Sequence, residues 1–216
     1  PKPLLQVRGK PLMQWPMEAL AAGGFTRQLA NTAWLGEQIE QRYGGRLVYS
    51  HEGRDFGGAL ETAGGIVRAL PFLDEIFWVL AGDVYVPGFA FTQAAVDRFV
   101  AGGKLGHLWL VPNPPHNPRG DFGLSADGLA LNLPADHPGP RYTYATIALL
   151  RAELFAAPWC DIPAGNPQGL AAPLAPLLRR AMDAGRVTAE LYTGRWTDVG
   201  TPERLAALNA AVPSHG

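Results

Sequence analysis

The chain has 216 residues, 47% of them apolar and 17% charged, which is material for one large domain with a sizeable core. A net charge of −1 excludes a general attraction to nucleic acid or an anionic membrane, so any phosphate recognition must be local. One cysteine, Cys160, excludes an internal disulfide and points to the cytoplasm. No signal peptide is read at the start, and no apolar run is long enough to span a bilayer.

In chain order, residues 11–24 (PLMQWPMEALAAGG) carry apolar side chains at helical spacing and end in glycines, a helix stop. Residues 25–33 predict a short strand, 34–45 a polar-faced helix ending at Gly44-Gly45, and 46–52 a strand. Residues 64–73 read as a short helix and 76–83 (IFWVLAGD) as a strongly buried strand. Residues 91–103 form a helix with Thr92 at its N-cap, and 105–113 another strand. The stretch 112–141 is rich in Pro, Gly, Asn and His, which predicts loops with a small antiparallel ribbon. Strand character returns over 142–155, and 175–185 is a helix. Residues 187–194 and 195–200 are short strands, and 201–212 a closing helix with Thr201 at N-cap and Pro202 at N1.

Strands alternating with helices through short loops predict an α/β domain with a mostly parallel sheet. The apolar runs IFWVL and LWLV fit strands covered on both faces. No repeat, heptad or low-complexity linker breaks the chain, so residues 1–216 are expected to form a single domain.

Three features could carry chemistry. Asp83 ends the IFWVLAGD strand directly after Gly82, and ligands of open α/β sheets gather at such carboxyl ends. A turn aspartate bonding its own loop amides is an equally simple role. LETAGGIVRAL, 60–70, runs a glycine pair into a helix start that could hold an anion or a base edge. It is neither GxxxxGK[ST] nor GxGxxG, and a plain glycine-rich helix start is the simpler account. Asp198 in RWTDVGTPERL repeats the pattern of acid, strand end and following glycine, again with a capping role as the alternative. Brought together, Asp83 and Asp198 would make a hard oxygen site suited to Mg²⁺ and phosphate.

Other chemistries are excluded. GxSxG is absent, Ser50-His51 and Ser214-His215 lack a nucleophile-elbow context, and the five histidines have no zinc spacing. His107, within an apolar strand, reads as structural, and Cys160 as a core thiol.

The ordered segments PKPLLQVRGKPLMQW, LETAGGI, VLAGDV and TDVGTPERL resemble the sugar-1-phosphate nucleotidylyltransferase family over essentially the whole chain. ETAGG, NPPHNPRGDF and the close of the chain are most similar to its bacterial N-acetylmuramate-1-phosphate uridylyltransferase branch, which serves peptidoglycan recycling. The resemblance implies a Rossmann-like, GT-A-like three-layer sandwich. It also implies in-line attack of a sugar phosphate oxygen on the α-phosphorus of a nucleoside triphosphate, with UTP the expected donor. Asp83 and Asp198 would hold Mg²⁺, and Lys2 would place a positive charge on phosphate. Leu60, Glu61, Thr62, Ala63, Gly64 and Gly65 would read the base through backbone groups and the Thr62 hydroxyl. Asn113, Gly120, Asp121 and Thr146 would touch the sugar.

Two departures from the family pattern stand out. Its first strand and G-x-G-x-R-x-x-P-x-T loop would precede PKPL, and that loop wraps the triphosphate; they do not occur in this sequence. Thr146 stands in YATIAL where a glycine is common. The expected partners are thus a nucleoside triphosphate and a sugar-1-phosphate, with no nucleic acid and no membrane. Oligomeric state is open, a monomer being admissible. A mannose-1-phosphate guanylyltransferase-like enzyme is the alternative within the class, and a non-catalytic sugar-nucleotide-binding regulatory protein the alternative outside it.

Overall fold

The computed structural model describes residues 1–210, so the Ser214-His215 pair lies outside the described residues. The chain enters through a 3-10 turn, Lys2–Leu4, into a hairpin of β1 (Gln6–Val7) and β2 (Lys10–Pro11). Arg8 and Gly9 both take positive φ, 49° and 86°, as a tight two-residue hairpin turn requires. Helix α1 (Gln14–Ala22) follows and stops at Gly23-Gly24. Next come β3 (Leu29–Thr32), α2 (Gly36–Tyr43), β4 (Val48–His51), α3 (Glu52–Phe56) and α4 (Glu61–Ala69). The middle of the chain supplies β5 (Ile76–Leu80), β6 (Val84–Tyr85), α5 (Gln93–Gly102) and β7 (Gly106–Val111). After the excursion β8 (Phe122–Leu124) and β9 (Ala130–Leu131), the long strand β10 (Arg141–Arg151) returns to the sheet. Helix α6 (Leu174–Asp183), β11 (Val187–Leu191), β12 (Thr197–Asp198) and α7 (Pro202–Ala210) close the described chain.

The sheet is mixed. Strands β5 and β7 flank β10 antiparallel, and β11 lies parallel to β7, so β5, β7 and β11 share one direction and β10, between β5 and β7, opposes them. The expected parallel bias therefore holds for strand direction but not for the ladders β10 makes. The reason is topological: β7 reaches β10 through a ribbon rather than a helical crossover, which a parallel neighbour would need. That ribbon is the small antiparallel pair β8–β9, which extends from the first residues of β10.

Alternation along β10 builds both cores. Ala148 and Leu150 face α4 and α6 with Phe77, Leu108, Leu110 and Leu178, while Ala145, Ile147 and Leu149 face the other way with Phe91, Phe99 and Trp109. Helices on both faces make three layers, and burial on both faces explains why IFWVL and LWLV lack polar alternation. Leu150 is fully buried, and its truncation to Ala would cost about 2–5 kcal/mol. The two threonine caps form as read: Thr92 Oγ1 accepts Ala95 N at 3.2 Å and Thr201 Oγ1 accepts Arg204 N at 3.2 Å.

Several elements differ in extent. The strand expected over 25–33 is confined to β3, because Gln28 ties Met17 and Phe25 carbonyls and holds the approach as a bend. The strand over 195–200 shrinks to two residues, and α4 starts three residues before the glycine pair.

Strands β3 and β4 pair parallel in a separate two-stranded sheet. Between β3 and β5 lies a cavity of about 1170 Å³, lined by Leu29, Ala30 and Asn31 of β3 and by every residue of β5. Among the described residues β3 pairs only with β4, and β5 only with β10. Two strand edges thus face one apolar space.

Candidate active site

The two acids singled out by sequence come together. β6 and β12 pair antiparallel with Asp198 opposite Val84, and Val199 N donates to the Asp83 carbonyl at 2.8 Å. Residues 115 positions apart in sequence are therefore on adjacent, hydrogen-bonded strands just beyond the end of β5. Strand β5 points its carboxyl end, Ala81-Gly82-Asp83, at this spot, and Pro3 packs against Gly82 so closely that a Cβ there would lie 3.2 Å from its ring. The same contact brings the Lys2–Leu4 turn, with exposed Lys2, to the acids.

Asp198 is not free in this arrangement. Its Oδ1 accepts Gly200 N at 3.1 Å and the Arg204 guanidinium, and its Oδ2 lies 2.5 Å from His116 Nε2. Neither Arg204 nor His116 was legible as a site residue. The only sequence signal was position: Arg204 sits one turn into the helix that follows Asp198, and His116 sits in the loop opposite.

The residues 60–65 divide. Leu60 is buried, its amide donates to Glu52 Oε2 at 2.8 Å, and its carbonyl accepts Ala172 N at 3.0 Å. Ala63 N and Gly64 N both donate to the Ala172 carbonyl, at 2.9 and 3.1 Å. The amides of Leu60, Ala63 and Gly64 thus have protein partners at this helix start. The glycine pair serves close packing. A Cβ on Gly64 would lie 2.4 Å from the Leu170 carbonyl, and one on Gly65 2.4 Å from Glu52 and Asn31. Glu61 and Thr62 keep their place on the cavity wall, Glu61 with φ at +57°.

The residues expected at the sugar also carry hydrogen bonds within the fold. Asn113 donates to the Arg141 carbonyl at 2.9 Å and accepts the Thr143 hydroxyl at 2.9 Å. Asp121 Oδ2 accepts Tyr144 N at 2.8 Å, and Oδ1 accepts Asn117 at 3.2 Å. Gly120 takes φ +62°, and a Cβ there would meet Asn113 and the Arg141–Tyr142 backbone below 3 Å. These three residues tie the 113–121 loop onto the start of β10, with Asn113 exposed and Asp121 half-buried. Thr146 does line the cavity. It sits at the β10 irregularity between Tyr144 and Ala148 with φ +57°, a conformation glycine adopts freely and a β-branched residue resists. Beside it, burial pushes the Tyr144 hydroxyl far above its usual range, so that group acts as neutral.

Among the described residues no set of three acids, histidines or cysteines converges as a dedicated protein cage would require. Two carboxylates, such as Asp83 and Asp198 would offer, are of the kind Mg²⁺ takes, its shell completed by water and phosphate.

No protein-family model matches the chain. Against individual proteins it is 42% identical over 222 residues to the N-acetylmuramate α-1-phosphate uridylyltransferase of Neisseria meningitidis serogroup B, covering 97% of this chain and 88% of the relative. It is 27% identical over 227 residues to the protein of the same name from Caulobacter vibrioides, covering 97% and 87%. Among solved structures, a candidate glucose-1-phosphate thymidylyltransferase from Bacillus anthracis, crystallised with sucrose, superposes with a TM-score of 0.73 at 19% identity, covering 97% of this chain and 85% of that one. Fold and whole-length relatedness define a nucleotidyltransferase: the chain belongs to the sugar-1-phosphate nucleotidylyltransferase family. Within it, both whole-length relatives named above are N-acetylmuramate α-1-phosphate uridylyltransferases.

Proposed function

We propose that the chain transfers a uridylyl group from UTP to N-acetylmuramate-1-phosphate, releasing pyrophosphate, as a cytoplasmic step of peptidoglycan recycling. The observation that supports this reading is the β6–β12 pairing, which brings the backbone of Asp83 next to that of Asp198 and Val199, just past the cavity-lining residues Ala81 and Gly82. A phosphate oxygen of the acceptor attacks the α-phosphorus of UTP, and the bond to pyrophosphate breaks on the opposite side. Such a transfer needs placement and neutralised charge more than covalent help. Mg²⁺ held by Asp83 and Asp198 would supply charge neutralisation between the reacting phosphates. Lys2, exposed on the turn whose Pro3 packs against Gly82, would add a cation. Glu61 and Thr62, on the cavity wall, would meet the nucleotide base, and Thr146 would narrow the acceptor side. The described helices include none long and apolar enough to cross a membrane, which accords with dissolved substrates.

A pyrophosphate-release assay with UTP and a panel of sugar-1-phosphates tests this reading. Turnover with N-acetylmuramate-1-phosphate is expected. Absence of turnover with every sugar phosphate would overturn the reading, and preference for GTP with mannose-1-phosphate would redirect it.

A further inference from the structure

The cations on Asp198 call for a role, since a carboxylate meant for a metal is here occupied by two other positive or proton-donating groups. Arg204 comes from the first turn of α7 and His116 from the 112–120 loop between β7 and β8. They reach different oxygens of Asp198 and meet each other, with Arg204 Nη1 3.0 Å from His116 Nε2. Gly200 makes room for this: a Cβ there would lie 2.6 Å from Arg204 Nη2 and 3.0 Å from Asp198 Oδ1. Both side chains remain partly exposed, Arg204 at 28% and His116 at 39%, so neither is locked in a core.

We propose that Arg204 and His116 are exchangeable partners of Asp198: they hold its carboxylate in the metal-free chain, and metal binding releases them onto the phosphate of the sugar-1-phosphate. The inference rests on the proposed metal role of Asp198 for its first half and on the nucleotidyl-transfer reading for its second. Competition follows from charge and lone pairs. A divalent cation on Oδ1 or Oδ2 takes the electron pairs that the guanidinium and imidazole now use, and repels the guanidinium beside it. Displaced from Asp198, both groups stay tethered within reach of whatever anion the metal carries. A guanidinium suits a phosphate because its fork of N–H groups matches two oxygens. His116 belongs to the loop that Asn113 and Asp121 dock onto β10, the side assigned to the acceptor rather than the base. The pair therefore bears on the acceptor phosphate.

The device also has a use before substrate arrives. With Arg204 and His116 in place, both oxygens of Asp198 keep partners before any metal arrives.

Two measurements on full-length protein decide it, using Arg204→Gln, Arg204→Lys and His116→Gln. The first is Mn²⁺ binding without nucleotide, followed by electron paramagnetic resonance. Removing a competitor should tighten Mn²⁺ binding about tenfold in Arg204→Gln and His116→Gln, the size of one charge-assisted contact. Unchanged or weaker Mn²⁺ affinity would overturn the exchange. The second is steady-state kinetics: KM for the sugar-1-phosphate should rise about ten- to a hundredfold while KM for UTP holds, and Arg204→Lys should recover part of the loss. An equal rise in both KM values, or loss of kcat alone, would overturn the acceptor role. Should Arg204→Gln fail to fold, His116→Gln on its exposed loop carries both readouts. The Mn²⁺ result stands even if no sugar phosphate is turned over, which separates failure of this proposal from failure of the functional reading.

Discussion

Glu52 accepts the amide of Leu60 at 2.8 Å while buried to 4% exposure, and with its other oxygen takes Asn31 Nδ2 at 2.6 Å. One carboxylate thereby joins β3, α3 and the entry to α4. Glu52→Ala leaves two donors without a partner and should cost about 2–4 kcal/mol, read as a lowered denaturation midpoint. Glu52→Gln keeps one acceptor and should cost less. Because Glu61 and Thr62 follow directly, both variants should also raise KM for the nucleotide more than they lower kcat.

Asp83→Asn and Asp198→Asn preserve shape and remove charge. Each should lower kcat about a thousandfold or more with an unchanged circular dichroism spectrum, and a chelator should abolish turnover in the parent until Mg²⁺ is restored. Near-normal turnover in either variant would refute the metal assignment.

Gly64→Ala should be harmful, because the new methyl would meet backbone, the Leu170 carbonyl at 2.4 Å, rather than a movable side chain. A loss of about 1–3 kcal/mol is expected in a denaturant titration. Gly58→Ala is the matched control: nothing lies within 4 Å of its Cβ, and the change should stay within about 0.5 kcal/mol.

Thr146→Gly should stabilise by up to about 1 kcal/mol, since it relieves a threonine held at φ +57°, measured as a raised Tm. Its loss would be small in hydrogen bonding, the hydroxyl reaching only the neighbouring Ala145 carbonyl at 2.7 Å.

Hydrogen bonds from His107 and from the Trp109 indole hold the Glu190 carboxyl below its usual value of 4.5. A lowered folded-state value means the stabilisation is complete above the unfolded value and is lost as pH falls through the folded one. The Tm advantage of the parent over Glu190→Gln should therefore be constant near neutrality and shrink in acid below pH 4.5. A constant difference down to strong acid would contradict it.

Much of this was legible in the sequence. Asp83 and Asp198 were visible because an acid following a strand and preceding a glycine is a local pattern. The β6–β12 pairing that unites them was not, since two-residue strands leave no periodicity. The glycines of ETAGG were visible as glycines, but their purpose depends on the 166–172 loop, a hundred residues away, whose Asn166 is fully buried and donates to the Gly64 carbonyl at 3.1 Å. Asn113 and Asp121 read as ligands for the same reason that they work as loop ties: both need polar side chains beside glycine and proline. Partner choice is a tertiary fact, and no spacing within 113–121 records it.

Strand β10 has a consequence for how this protein is made. It is the shared neighbour of β5, β7 and β8, and it begins only at Arg141. While a ribosome is still adding the residues between β5 and Arg141, at roughly 5–20 per second, β5 and β7 have no β10 to pair with. The three strands can join only after residues 141–151 emerge, and β11 adds to β7 later still. Nascent chains halted ahead of that point should bind chaperones and fall to protease, whereas chains released past α6 should not.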